Sequence, residues 1–135
     1  MTRVFLFIAL FFTAIKSFGQ TDQIVLKDLA WDKTAPAGMI ELDINSNGSR
    51  LAGGIMYTPN GNEKHPTLIL LHGFPGNEKN LDIAQVVRAH GWNVIYFNYR
   101  GSWGSEGKYS FENCVEDAKA VVDYCNKYQD SLKID

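Results

Sequence analysis

The run Thr67-Leu68-Ile69-Leu70-Leu71 constrains this chain more than any other stretch. A short, continuous apolar segment bounded by turn-formers reads as a strand buried on both faces, as in a parallel sheet covered by helices. Pro66 stands at its entrance, where a missing N–H does least harm. His72-Gly73-Phe74-Pro75-Gly76-Asn77 ends the strand as a loop. A helical pattern then runs from about Lys79 to His90, with Ile83, Val86, Val87 and His90 on one face and Gly91 as the left-handed residue that closes it. Asn93-Val94-Ile95-Tyr96-Phe97-Asn98 reads as the next strand. Strand, helix and strand in this order imply a right-handed crossover and parallel pairing. The expected class is α/β, a partly parallel sheet with helices on both faces.

The chain has 135 residues, room for one domain. Its first nineteen residues have the pattern of a secretory signal: Arg3, then Val4 to Ile15 apolar except for Thr13, then Ser17-Phe18-Gly19 as a small-residue cleavage site. A membrane-spanning helix needs roughly 20 apolar residues, so the run is too short for a stable membrane anchor. The expected organisation is 1–19 signal peptide, 20–37 N-terminal segment and 38–135 folded domain. Export follows, with cleavage between Gly19 and Gln20 and release to the periplasm or outside. Losing Arg3 and Lys16 leaves 11 basic against 15 acidic residues and moves the net charge from −2 to −4. No basic stripe remains for a nucleic acid.

Export permits disulfides. Cys114 and Cys125 lie eleven residues apart in one helical pattern, so along the axis they are separated by roughly 16 Å. A bridge requires Cα atoms within about 7 Å. Two core cysteines are the simpler expectation.

Upstream, Met39 to Ile44 alternates apolar with acidic, the period of a half-buried strand. Asn45-Ser46-Asn47-Gly48 is turn chemistry, and Leu51 to Thr58 reads as the returning strand of an antiparallel hairpin. Asn47-Gly48-Ser49 is formally a glycosylation sequon, but a hairpin turn accounts for it. At the other end Phe111, Cys114, Val115, Ala118, Val121, Val122 and Cys125 keep a helical period for four turns. Ser110 serves as N-cap, and Glu112, Glu116 and Asp117 suit the early turns.

Three pieces, taken in order, carry a family resemblance: Leu51-Ala52-Gly53-Gly54-Ile55-Met56-Tyr57-Thr58-Pro59; the strand with His72-Gly73-Phe74-Pro75-Gly76-Asn77; and Asn98-Tyr99-Arg100-Gly101-Ser102-Trp103-Gly104-Ser105-Glu106-Gly107. Over about residues 50–128 they resemble the N-terminal portion of the α/β-hydrolases of the esterase, lipase and serine aminopeptidase branches. The resemblance implies that the Phe74 backbone N–H donates to the oxyanion of acyl transfer. Gly73 lets the chain turn and leaves space for substrate, Pro75 stiffens the loop, Gly76 belongs to the same loop, and Asn77 can cap the next helix. His72 orients the loop, because the triad histidine of such enzymes comes later in the chain. Arg100 pins its own loop or pairs with a carboxylate, Gly101 belongs to that loop, and Trp103 walls an acyl pocket or simply packs.

The implied activity is hydrolysis of a small ester or peptide substrate through an acyl-serine intermediate, with no cofactor. No Gly-x-Ser-x-Gly stands within the 135 residues, so nucleophile, acid and histidine are expected outside them, and the chain alone is expected to be inactive. The alternative is a non-catalytic truncated domain whose partner covers an exposed sheet edge. Rival motifs fail. Gly101, Gly104 and Gly107 do not match Gly-x-Gly-x-x-Gly, and Gly107-Lys108-Tyr109 lacks the hydroxyl residue of a phosphate loop. His65 and His90 read as loop and helix-end residues, and three scattered histidines make no metal site. The family strand order further implies that Thr67–Leu71 is left as an open edge, a route to self-association.

Overall fold

The computed structural model describes residues 30–74, 76 and 78–135. The expected signal peptide, Pro75 and Asn77 lie outside the described residues. Six strands and two helices are present among them: β1 (Gly38–Glu41), β2 (Ile44–Ser46), β3 (Ser49–Leu51), β4 (Ile55–Thr58), β5 (Thr67–Leu70), α1 (Leu81–Ala89), β6 (Asn93–Tyr96) and α2 (Phe111–Tyr128).

The N-terminal hairpin forms but is broken in the middle. β1 pairs antiparallel with β4, Gly38 opposite Thr58 and Glu41 opposite Ile55, while β2 and β3 make a separate two-stranded ribbon. The expectation of two unbroken strands therefore needs correction. Leu42 donates its N–H to the Gly54 carbonyl at 2.7 Å, and a Cβ at Gly54 would meet that same Leu42 backbone. The break turns Leu42, Ile44 and Leu51 into the core while all of β1 stays exposed. Asn47 and Gly48, at φ 48° and 81°, make the tight turn between β2 and β3.

The main sheet has the order β1-β4-β6-β5. β4 and β6 run antiparallel, and β5 and β6 run parallel with Thr67 opposite Asn93 and Leu70 opposite Tyr96. β6 is buried along its whole length, as an interior strand with both faces covered should be. β5 is only half-buried, because β6 is its one strand neighbour among the described residues. Among the described residues its other edge is occupied only at the entrance. There His65 donates to the Lys133 carbonyl, Asp135 donates to the His65 carbonyl, and Ile134 forms a parallel bridge with His65. His65 is thus a buried strand-entry residue and not a loop histidine; its Nδ1 bonds the Gly91 carbonyl at 3.0 Å.

The helices depart from their sequence patterns in instructive ways. α1 begins at Leu81 after a left-handed Asn80, so the N-cap position belongs to Asn80, not Asn77. It packs on β4 and β6 through Ala84, whereas Ile83 is exposed. Gly91, at φ 87°, takes the left-handed position after the helix. α2 starts as expected, the Ser110 hydroxyl accepting the Asn113 N–H at 3.0 Å. Its buried line is Asp117, Val121 and Cys125, with Cys114 half-buried, while Phe111, Val115 and Val122 are exposed. Val121 and Cys125 join Leu42, Ile44, Leu51, Met56, Ile95, Phe97 and Tyr99 in one core, with Cys114 packed against it. Both cysteines are free thiols, and burial pushes the Cys125 thiol pKa up.

Candidate active-site loops

Because β5 and β6 are parallel neighbours, the loops that leave their C-terminal ends emerge side by side. That edge is where open α/β sheets hold ligands. After β5 comes His72 to Gly76, and after β6 comes Asn98 to Gly107.

His72 is buried between the two loops. Its Nδ1 bonds the Gly73 carbonyl at 2.9 Å, and its Nε2 accepts the Tyr99 N–H at 3.4 Å. A carbonyl can only accept and an amide N–H can only donate, so these partners assign the neutral tautomer with the proton on Nδ1. Both nitrogens are committed to backbone, and the ring packs on Tyr99 with centroids 4.6 Å apart. The histidine spans the loops and holds no spare lone pair for proton transfer.

Gly76 is where the chain turns. Its φ is +32°, and a Cβ there would drive into the Gly73 carbonyl oxygen and the His72 ring. Gly73 itself has ordinary backbone and open space where a Cβ would stand. The sharp turn expected at Gly73 is therefore made at Gly76, and Gly73 contributes only the open approach. Phe74 lies between them with 65% of its surface exposed. Its ring stacks on Tyr109 at 4.7 Å and meets Phe111 edge-on at 6.0 Å. Among the described residues its backbone N–H meets no acceptor.

The second loop is fastened at several points. Arg100 is buried against α2. Its backbone N–H and Nε donate to the two oxygens of Asp117 at 2.8 and 2.5 Å, and its Nη2 donates to Glu116 at 2.6 Å and to the Asn113 carbonyl at 3.3 Å. Asp117 is fully buried. Both open roles for Arg100 are realised together: it pins its loop by pairing with carboxylates. The hydrogen bond from Arg100 holds the Glu116 carboxyl below its usual range. The sequence pattern makes Asp117 an early-turn charge; in the structure it is instead the buried anchor of Arg100. The signal was present, since Asp117 lies four residues before Val121 on the buried line.

Gly101 has φ 71°, and a Cβ there would run into the Tyr109 backbone. Ser105 Oγ accepts the Ala52 N–H at 2.7 Å and donates to the Asn98 carbonyl at 2.8 Å, while the Glu106 N–H donates to the Arg50 carbonyl and the Arg50 N–H donates to the Glu106 carboxylate at 2.9 Å. Ser105 is thereby a structural hydroxyl that ties loop to hairpin.

Trp103 does not pack into the core. It is 56% exposed and sits at φ 45°, a conformation unfavourable for a bulky side chain that the surroundings must enforce. Its indole N–H donates to the Gly76 carbonyl at 2.8 Å, and its own carbonyl accepts from Asn98 at 3.3 Å. The indole thus makes a second bridge between the loops. Beside it opens a crevice of about 420 Å³ lined by Gly76, Lys79, Tyr96, Asn98 and Trp103. Tyr96 donates its hydroxyl to Asn98 Oδ1 at 2.8 Å, and burial raises its pKa. Sequence reasoning missed Lys79, Tyr96 and Asn98 here, because Lys79 reads as a helix-start residue and Tyr96 and Asn98 as strand until the crevice beside them is seen.

Comparison with known proteins fits this architecture. No protein-family model matches the sequence. The chain is 35% identical over 88 residues to the uncharacterized 31.7 kDa protein of the traX-finO intergenic region of Escherichia coli, covering 59% of this chain and 31% of that one. Among solved structures it resembles Est1E from Butyrivibrio proteoclasticus, seen with ferulic acid bound, at 27% identity and TM-score 0.58 over 64% of this chain and 37% of that one. It also resembles EstE1, a thermophilic carboxylesterase cloned from a metagenomic library, at 23% identity and TM-score 0.61 over 84% of this chain and 38% of that one. A third is brefeldin A esterase, a bacterial homologue of human hormone-sensitive lipase, at 25% identity and TM-score 0.56 over 83% and 34%. The sheet order, the two loops and these neighbours together show an α/β-hydrolase relationship. The chain spans about a third of the length of the proteins it matches.

Proposed function

We propose that this partial α/β-hydrolase fold is the N-terminal part of an exported serine hydrolase that cleaves ester or peptide bonds through an acyl-serine intermediate. The observation that carries the reading is the Phe74 N–H: it has no acceptor among the described residues, at the C-terminal end of β5, in a loop held from both sides by His72 and Trp103. A donor fixed in advance stabilises developing charge without reorganising during reaction. In the complete enzyme a serine oxygen attacks the substrate carbonyl carbon and passes its proton to a histidine. The carbonyl oxygen becomes an anion that accepts the Phe74 N–H, and the histidine returns the proton to the leaving alcohol or amine. Water then repeats the sequence on the acyl-serine. Serine, histidine, acid and the second oxyanion donor come from outside these residues, and no cofactor takes part. The esterase neighbours favour esters over peptides.

The test is a pair of variants in the complete hydrolase. Phe74→Pro deletes the N–H and should lower kcat by about 10²–10³ with KM little changed. Phe74→Ala keeps the N–H and should keep kcat within a few-fold. Equal effects from both would remove Phe74 as donor.

A second reading has its own observation. Among the described residues the β5 edge is open beyond His65, and Phe111, Val115 and Val122 form an exposed apolar stripe on α2. A non-catalytic domain that binds a partner over this surface would show the same features.

A further inference from the structure

The crevice beside Trp103 has a chemical character that the proposed reaction does not require. One wall is the exposed indole of Trp103, and Tyr96 contributes a second aromatic ring. Lys79 Nζ lies 5.7 Å from the centre of the Tyr96 ring. Among the described residues no carboxylate lines the crevice, and Glu78 is not part of its wall. Among the described residues Lys79 makes no ion pair, whereas Lys64 and Lys119 each pair with an aspartate. Asn98 spends one amide N–H on the Trp103 carbonyl and one oxygen lone pair on the Tyr96 hydroxyl, which fixes its amide in the wall of the crevice. The crevice therefore offers flat aromatic surface and one uncompensated positive charge in a chain whose net charge is negative.

We infer that this crevice binds an aromatic group bearing a carboxylate, at the end of the substrate remote from the bond that is cut. The inference rests on the reading above for the word substrate, but not for the binding itself. A planar ring lies against the Trp103 indole, and its carboxylate accepts from Lys79 Nζ. Trp103 then has two duties: the indole edge holds the Gly76 carbonyl, and the indole face holds the ligand. That dual use explains why a bulky residue is kept exposed at positive φ instead of a glycine. An ammonium on a flexible stem, unlike a guanidinium fork, selects charge more than shape. The preference should therefore follow the ligand's charge and weaken with salt.

The experiment is a binding titration on the complete hydrolase, its nucleophilic serine changed to alanine, with two ligands of nearly equal shape. One is 4-(methoxycarbonyl)benzoate, which carries a carboxylate opposite a methyl ester. The other is methyl 4-carbamoylbenzoate, its neutral counterpart. Calorimetry gives the affinities, and the Trp103 indole N–H resonance reports the site. The anion should bind about tenfold more tightly at low salt, a difference typical of one charge-assisted contact. Lys79→Met should reduce that ratio below about twofold while leaving the neutral ligand's affinity unchanged. Lys79→Arg should retain it, and Trp103→Phe should weaken both ligands without changing the ratio. Equal affinity for the two ligands, no saturable binding, or a ratio that survives Lys79→Met would overturn the inference. Hydrolysis is not measured, so failure here leaves the Phe74 variants to decide the reaction, and their failure leaves this binding result standing.

Discussion

Replacing Asp117 by asparagine should cost this fold about 3 kcal/mol. Asp117 has no exposed surface and accepts two hydrogen bonds from Arg100, one from the backbone N–H and one from Nε. Asparagine keeps the shape but turns one of the two acceptors into an NH2 donor. That donor would then face an N–H or the guanidinium. Breaking a buried ion pair by altering one partner costs about 3–5 kcal/mol, because the other charge stays buried without compensation. Arg100 retains Glu116 and the Asn113 carbonyl, which places the loss at the lower end of that range. For a domain of this size each kcal/mol lowers Tm by about 4–8 °C, so the shift is roughly 12–24 °C. Circular dichroism melts of wild type and Asp117→Asn measure it. Lys119→Met is the control: Lys119 and Asp123 pair on the exposed face of α2, and such pairs are worth about 0.5 kcal/mol or less. An Asp117→Asn melt within about 1 kcal/mol of wild type would refute the idea that Asp117 anchors the Arg100 loop.

Other outcomes follow from the same geometry. Gly76→Ala should cost about 1–3 kcal/mol and displace the His72 ring, read from its imidazole NMR signals; an unchanged spectrum would mean the loop turns elsewhere. Glu116 has a folded pKa below its unfolded value. Its contribution is therefore complete above the unfolded pKa of about 4.5 and is lost as pH falls through the lower folded value. Glu116→Gln should flatten that part of the stability profile, and an unaltered acid limb would contradict the pairing with Arg100. The β5 edge, unpaired beyond His65 among the described residues, should make the 20–135 polypeptide oligomeric or poorly soluble, whereas a monodisperse monomer by light scattering with a cooperative melt would show that the edge is protected.

The strands and their parallel pairing were legible because short continuous apolar runs mark parallel strands, and Thr67–Leu70 and Asn93–Tyr96 nearly are such runs, although only β6 is buried along its length and β5 is half-buried. The helix starting at Ser110 was legible because a hydroxyl N-cap is a local feature. What was not legible depended on tertiary contact. The helical period of α2 included Phe111, Val115 and Val122, yet the line that is buried runs through Asp117, Val121 and Cys125. Periodicity marks an apolar side without saying which part of it meets the core, and a buried aspartate is invisible until its arginine is placed. Likewise the break at Ala52–Gly54 comes from Leu42 crossing close to Gly54. The loop His72–Gly76 was recognisable by its residues. However, its support by Trp103 and Tyr99 comes from a loop that joins it only across the sheet.

The central claim is that these residues furnish an oxyanion loop and not the nucleophile. A fluorophosphonate reacts covalently with the activated serine of a serine hydrolase, so mass spectrometry of the treated 135-residue chain tests the claim most directly. The account predicts no adduct on any of its serines, with Ser105 committed to Ala52 and Asn98 and Ser110 to the α2 cap. A stoichiometric phosphonyl adduct on a serine of this chain would contradict it, and would place the nucleophile inside the residues described.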